Sequence, residues 1–103
     1  MQVIKDEFEF HGEVINSPQW VFVNFWSGWS DECNLMRLLM QALETDLKTE
    51  WKIVEVNWDL NKELALQYGV YGVPTLLIFY QGTLIDRYSG RITAEEIFQN
   101  LRG

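Results

Sequence analysis

The chain contains one cysteine, one histidine and two prolines in 103 residues. Its single cysteine, Cys33, can form no intramolecular disulfide, and a lone cysteine is typical of a reducing compartment. His11 is the only histidine. The chain therefore has too few of the residues that commonly bind zinc or form a Cys-His catalytic pair. The carboxylates also show no spacing typical of a metal site. We therefore expect no metal ion and no other cofactor.

Positive charge and long apolar runs are also scarce. Eight basic residues stand against 15 acidic ones, which gives a net charge of −7 and disfavours binding to nucleic acid or to anionic membranes. The longest wholly apolar run, Leu76 to Tyr80, is far shorter than the roughly 20 residues that span a bilayer. The N-terminus lacks the basic and apolar regions of a signal peptide. These features predict a cytoplasmic protein.

Apolar residues, in contrast, are abundant enough for a packed core. They make up 48% of the chain, and a chain of this length forms one domain, over residues 1–103. Periodicity and turn residues predict these elements: a strand at Val3-Ile4, a helix capped by Asp6 and ending before Pro18, a strand over Trp20 to Trp26, a helix from Ser30 or Asp31, a strand over Trp51 to Val56, a short helix capped by Asp59 or Asn61 that runs through Tyr68, strands over Thr75 to Tyr80 and Thr83 to Tyr88, and a final helix from Thr93.

The second of these helices has a wide apolar surface. Its main face repeats at spacings of three and four residues, and three leucines widen it, so we expect the helix to be well buried. The main face consists of Cys33, Met36, Met40, Leu43 and Leu47, and the additional leucines are Leu35, Leu38 and Leu39.

Helical connections between the early strands indicate parallel pairing, and the hairpin at Gln81-Gly82 adds antiparallel strands. The predicted fold class is therefore α/β, with helices on both faces of a mixed sheet.

Several motifs occur together in this order. They are Phe25-Trp26-x-x-Trp29 before Cys33, Asn57-x-Asp59, Gly72-Val73-Pro74-Thr75, and Gly90. Over essentially the whole chain the sequence resembles the thioredoxin family. The resemblance implies the thioredoxin fold, a mixed central sheet of about five strands flanked by about four helices.

The resemblance also implies a site for a protein partner. Pro74 should follow a cis peptide bond and face the turn from Ser30 to Cys33. In the family, the residue before this proline, here Val73, offers its backbone to an extended peptide in the manner of an added strand. By the same resemblance, Trp29 borders this groove together with Val73 and Gly90.

The family's catalytic residues are changed, however. Disulfide exchange needs an attacking thiolate and a second thiol, and Ser30 occupies the position of the attacking cysteine. A hydroxyl is not appreciably ionised at neutral pH, so ordinary thioredoxin activity should be absent. A laboratory substitution of cysteine by serine would explain Ser30 alone.

Three further departures favour a wider loss of redox chemistry. Asn24 replaces a buried aspartate that relays protons in the family, and an amide cannot titrate. Glu55 stands where the family commonly has a lysine, and Leu38 replaces the proline that kinks the active-site helix.

The remaining thiol could act alone or be inert. A helix N-terminus favours the thiolate of Cys33, whereas burial and the neighbouring Asp31 and Glu32 disfavour it. The balance predicts an inert, partly buried thiol.

Three hypotheses follow for the function. The first is a redox-inactive, monomeric protein-binding module that holds an extended peptide of a client protein in the groove of Trp29, Ser30, Val73, Pro74 and Gly90. The second is a single-thiol oxidoreductase that uses Cys33 with an external thiol. The third is a subunit that acts through another face and retains a vestigial site.

Overall fold

The computed structural model describes residues 1–46, 51–90 and 96, and it contains a five-stranded sheet of order β1-β3-β2-β4-β5. The elements are, in chain order, β1 (Gln2–Ile4), α1 (Glu7–Phe10), a π-helical segment (His11–Ile15), β2 (Trp20–Trp26), α2 (Asp31–Asp46), β3 (Trp51–Asn57), α3 (Lys62–Gln67), β4 (Thr75–Tyr80) and β5 (Thr83–Ser89).

The sheet is mixed, as the sequence predicts. Strands β1, β3 and β2 pair in parallel, whereas β4 pairs antiparallel with β2, and β5 pairs antiparallel with β4. The connection from β2 to β3 runs through α2, as expected for a parallel pair. The predicted final helix from Thr93, and Leu47 on the apolar face of α2, lie outside the described residues.

The first helix begins at its predicted cap. The side chain of Asp6 accepts a hydrogen bond from the backbone N–H of Glu9 at 2.9 Å, which satisfies a donor of the first turn. After Phe10 the helix widens into the π-helical segment, where the N–H of Asn16 bonds the carbonyl of His11 at 3.0 Å. Helical structure thus ends before Pro18, as predicted.

The β4–β5 hairpin turns at the predicted Gln81-Gly82. Both residues have positive φ, 50° and 80°, which is the conformation that two-residue hairpin turns require. A Cβ atom on Gly82 would lie 2.8 Å from the carbonyl oxygen of Ile15. Gly82 is therefore needed both for its φ angle and for the close approach of the turn to the π-helical segment.

Side-chain alternation along the strands divides the core into two clusters, one on each face of the sheet. On the face covered by α2, Met36, Met40 and Leu43 pack against Phe22, Ile53, Leu76 and Ile78. On the opposite face, residues of α1, the π-helical segment and α3 pack against the other side of the same strands, among them Phe10, Val14, Leu64, Val23, Val54 and Phe79.

The prediction that a wide surface of α2 is buried is wrong. Leu35 and Leu38 are 47% and 63% exposed, whereas Met36 and Met40 are buried. Helix α2 covers the sheet with one face only, and positions two residues apart lie about 200° around a helix. Among the described residues, no helix combines the length and the apolar character needed to cross a membrane.

Candidate functional site

All the predicted site residues lie at one edge of the sheet. This edge is formed by the carboxyl ends of β2 and β3, together with the start of β4 and the end of β5. Thr75 pairs with Phe25 on one side and with Ser89 on the other. The loops that contain Trp29, Pro74 and Gly90 therefore leave the sheet at the same edge.

Ser30 caps helix α2. Its hydroxyl oxygen accepts a hydrogen bond from the backbone N–H of Cys33 at 3.3 Å, and its carbonyl accepts one from Asn34 at 3.3 Å. A serine at this position satisfies a backbone donor that has no partner within the helix. At the position that the resemblance assigns to the attacking cysteine, the chain thus has a helix-capping hydroxyl.

Cys33 is completely buried in the first turn of α2. The backbone N–H of Ser27 donates to its sulfur at 3.4 Å. The sequence predicts partial burial, and the structure shows that no part of the side chain reaches the surface. An external reagent can therefore reach the sulfur only after a local opening.

Trp29 is held by Asp59, which follows β3. The indole Nε1 donates to the carboxylate of Asp59 at 3.2 Å, and the buried hydroxyl of Ser27 donates to the same carboxylate. The Trp29 ring nevertheless remains 70% exposed. Its orientation is thus fixed while most of its apolar surface is available. The motif Asn57-x-Asp59 places Asp59 at this edge, but no local pattern of residues indicates its contact with Trp29.

A groove lies beside the cis peptide bond between Val73 and Pro74. It encloses about 300 Å³. The backbone N–H of Gly90 donates to the carbonyl of Pro74 at 2.8 Å, which fixes the two sides of the groove against each other. The lining residues are Gly69, Tyr71, Gly72, Val73, Pro74, Thr75, Arg87, Ser89 and Gly90.

The backbone of Val73 is available to a partner. Within the described part of the chain, no hydrogen bond uses its N–H or its C=O. Its side chain packs against the core, so the residue is anchored while its backbone polar groups are free. Such an exposed donor and acceptor can pair with an extended peptide.

The guanidinium of Arg87 lines the groove and is held in place by backbone carbonyls. It donates to the carbonyl of Gly69 at 3.0 Å and to the carbonyl of Tyr68. These carbonyls lie just beyond the last turn of α3, where cations are stabilised by the helix dipole.

The structure groups the predicted site residues into two adjoining parts. Val73, Pro74 and Gly90 line the groove, whereas Trp29, Ser30 and Cys33 do not. Trp29 instead belongs to the loop that Asp59 fixes.

A charged pair lies in the layer between α2 and the sheet. Glu55, which is 3% exposed, pairs in register with Asn24 on β2. Its carboxylate accepts two hydrogen bonds from Arg37 of α2, one from Nε at 3.0 Å and one from Nη2 at 3.2 Å. The Arg37 guanidinium also lies 4.5 Å from the ring centroid of Trp26.

The sequence reasoning did not identify Arg37. A buried strand glutamate needs a cation, and Arg37 is the only basic residue of α2, so this pairing could have been inferred.

Position 24 of this layer has no titratable group. Asn24 is fully buried and cannot titrate, and Glu55 is bound to a permanent cation. Among the described residues, no three histidine, cysteine, aspartate or glutamate side chains are placed to hold a metal ion.

Comparison with known proteins gives one consistent result. A family model described as Thioredoxin matches residues 1–103. The chain is 36% identical to a thioredoxin of Griffithsia pacifica over 93 residues, which is 90% of this chain and 85% of that protein. It is 33% identical to thioredoxin 1 of a Nostoc species over 92 residues, 89% and 86% of the two chains.

A solved structure shares the fold. The thioredoxin of Malassezia sympodialis superposes with a TM-score of 0.85 at 21% identity, covering 99% of this chain and 89% of its own.

Proposed function

Because this chain belongs to the thioredoxin family but has Ser30 at the position of the attacking cysteine, we propose that it is a redox-inactive, monomeric protein-binding module. It holds an extended segment of a client protein in the groove beside Pro74. The observation that carries the proposal is the free backbone N–H and C=O of Val73 at the rim of this groove.

Backbone pairing supplies the first part of the recognition. A client segment in extended conformation accepts from the N–H of Val73 and donates to its C=O, as a strand added to a sheet does. The bond between Gly90 and Pro74 holds the groove in shape before the client arrives. A preformed groove binds with a smaller loss of conformational entropy than a mobile one.

Apolar surface supplies the second part. Tyr71 and Trp29 are 78% and 70% exposed at the same edge of the sheet. Aromatic side chains that are fixed in orientation are typical anchors of protein interfaces. The bond to Asp59 fixes Trp29 in this way.

Charge selects among clients. Asp31 and Glu32 are exposed in the first turn of α2, next to Ser30. These carboxylates favour a neutral or basic segment, and salt should weaken the association.

The proposal can be tested with peptides selected from a phage-displayed library of random 12-residue sequences on the immobilised full chain. A selected peptide is then synthesised, and its dissociation constant is measured by fluorescence anisotropy. We expect Val73→Asp to weaken binding by about tenfold or more, because a carboxylate in place of this core-packed side chain displaces the backbone that pairs with the peptide. Cys33→Ala should leave binding unchanged.

Val3→Asp is the matched control, since Val3 is an exposed valine on the edge strand β1 and does not line the groove. It changes the net charge equally but should not alter the dissociation constant. The proposal fails if the library yields no peptide above background, or if Val73→Asp binds as tightly as Val3→Asp.

A second candidate function is single-thiol chemistry at Cys33. The observation that favours it is the hydrogen bond that the backbone N–H of Ser27 donates to the sulfur of Cys33. An oxidoreductase of this kind would lose all activity with an external thiol in Cys33→Ala and keep it in Val73→Asp. If the chain acts through another face, neither variant will change its activity.

A further inference from the structure

Helix α2 has a second apolar side that faces solvent. Leu35, Leu38 and Ala42, here called the α2 stripe, follow one another at spacings of three and four residues and are all exposed. Residues at these spacings form a continuous line along a helix. We propose that the α2 stripe binds an amphipathic helix of a partner protein whose apolar face is flanked by basic residues.

The stripe is not required for the core of the described residues. Met36, Met40 and Leu43 occupy the opposite side of α2 and fill the cluster against the sheet. Leu38 is 63% exposed, and burying a leucine side chain away from water lowers the free energy. Two exposed leucines three residues apart on one helix can pack against the apolar face of a second helix.

The charges around the stripe define the chemistry of the partner. Asp31 precedes Leu35 by four residues and therefore lies on the same line of the helix, with Glu32 beside it. The last turn of α2 contains no basic residue. Arg37, the only cation of the helix, is engaged by Glu55. A partner helix that has lysine or arginine at the end lying against Asp31 is complementary in charge to this surface.

A second copy of the chain does not fit. Two α2 helices packed in parallel bring Asp31 and Glu32 of both copies together. Two α2 helices packed antiparallel place Asp31 and Glu32 of each copy against the last turn of α2 in the other copy. The sequence of that turn is acidic. The net charge of −7 adds general repulsion.

This inference does not depend on the proposed function. The α2 stripe shares no residue with the lining of the groove beside Pro74. The two surfaces can therefore be tested separately, and one can fail while the other holds.

The test uses three synthetic 18-residue peptides and the full ¹⁵N-labelled chain. The first peptide has leucine at helical spacing and lysine elsewhere, the second has glutamate in place of lysine, and the third is a scramble of the first. We expect the first peptide to shift the amide resonances of Leu35, Leu38 and Ala42. The glutamate peptide and the scramble should bind at least about tenfold more weakly.

Variants separate the stripe from the groove. Leu35→Gln/Leu38→Gln should weaken the lysine peptide about tenfold or more, whereas Val73→Asp should leave its affinity unchanged. Asp31→Lys/Glu32→Lys keeps both leucines and should reverse the preference between the lysine and glutamate peptides.

Several results would overturn the inference. One is a set of shifts centred away from α2, and another is equal binding of the scramble or of the Leu35→Gln/Leu38→Gln variant. Concentration-dependent dimerisation in sedimentation, abolished by the same variant, would identify a second copy as the occupant. A large fall in Tm of that variant would mean that another part of the chain covers the stripe.

Discussion

Arg37 and Glu55 form an ion pair through two hydrogen bonds, at 3.0 and 3.2 Å, in the layer between α2 and the sheet. The glutamate pairs in register with Asn24, so the layer contains one carboxylate and one amide, with the cation supplied by the helix. A buried charge is tolerated only when it is paired and hydrogen-bonded. This geometry brings the family departures at positions 24 and 55 into one layer, where Arg37 balances the charge of Glu55.

Breaking this pair should destabilise the fold. Arg37→Met leaves the carboxylate of Glu55 buried without its partner, and we expect the free energy of unfolding to fall by about 2–3 kcal/mol. Urea denaturation followed by circular dichroism measures the change. Arg37→Met/Glu55→Leu removes both charges and should recover most of the loss. Equal stability of Arg37→Met and the unmodified chain would show that the pair contributes nothing.

Substitutions at two glycines, one in the hairpin turn and one in the π-helical segment, can be compared directly. Gly82→Ala places a Cβ atom 2.8 Å from the Ile15 carbonyl at a φ of +80°, and it should lower the free energy of unfolding by at least about 2 kcal/mol. In the π-helical segment, Gly12→Ala meets nothing within 4 Å and should raise it by about 0.5–1 kcal/mol. Thermal unfolding of both variants compares them. A neutral Gly82→Ala would contradict the packing of this turn.

The elements with strong local signals in the sequence lie where those signals predict them. The strand over Trp20 to Trp26 is apolar on both faces, and the turn at Gln81-Gly82 has residues that accept positive φ. Both are properties of consecutive residues, so they can be read without knowing the fold. The capping of the first helix by Asp6 is of the same kind.

The contacts of the site were harder to predict because they join distant residues. Arg37 and Glu55 are 18 residues apart, and Trp29 and Asp59 are 30 apart. Their approach follows from the register of β2 with β3 and from the position of α2, which local patterns do not specify. The exposure of Leu38 was missed for the same reason, since periodicity cannot tell whether a helix is covered on one side or two.

Acid should weaken a contact between the π-helical segment and β3. The hydrogen bond from Lys52 to Glu13, at 2.5 Å, lowers the pKa of that carboxyl, with a further hydrogen bond from Gln2 and the charge of Lys52. A lowered pKa in the folded state adds stability above the ordinary pKa of the carboxyl. This stability is lost as pH falls through the lowered value.

Glu13→Gln should therefore reduce stability at pH 7 and match the unmodified chain in strong acid. Urea unfolding at several pH values tests this prediction. Lys52→Met should give a deficit that also shrinks in acid but is smaller at pH 7, because it removes the ion pair and leaves the hydrogen bond from Gln2 to Glu13. A Glu13→Gln deficit that persists unchanged at low pH would contradict the electrostatic cause.

Burial should protect Cys33 from alkylation. Its side chain has no exposed surface, so iodoacetamide must wait for a local opening, and we expect native labelling to be at least about 100-fold slower than labelling in urea. The rate in urea controls for intrinsic reactivity. Native labelling at neutral pH as fast as in urea would favour single-thiol chemistry over the binding module.

Ser30→Cys tests whether a second thiol is enough to allow a disulfide with Cys33. The Ser30 side chain already lies 3.3 Å from the backbone nitrogen of Cys33, so the variant has two thiols within one helical turn, and oxidation should join them. Thiol titration should find two free thiols after reduction and none after oxidation. Failure to form the disulfide would show that this turn no longer has the geometry for redox chemistry.

Turnover by Ser30→Cys should nevertheless be slow at neutral pH. Asn24 cannot act as a base, so the introduced thiol at the start of α2 has only the helix N-terminus to favour its thiolate. Catalysed reduction of insulin disulfides by dithiothreitol should rise with pH up to the pKa of this thiol. Ser30→Cys/Cys33→Ala is the control and should show no turnover. A rate independent of pH between 6 and 8 would reveal another base and would contradict the loss of proton relay at Asn24.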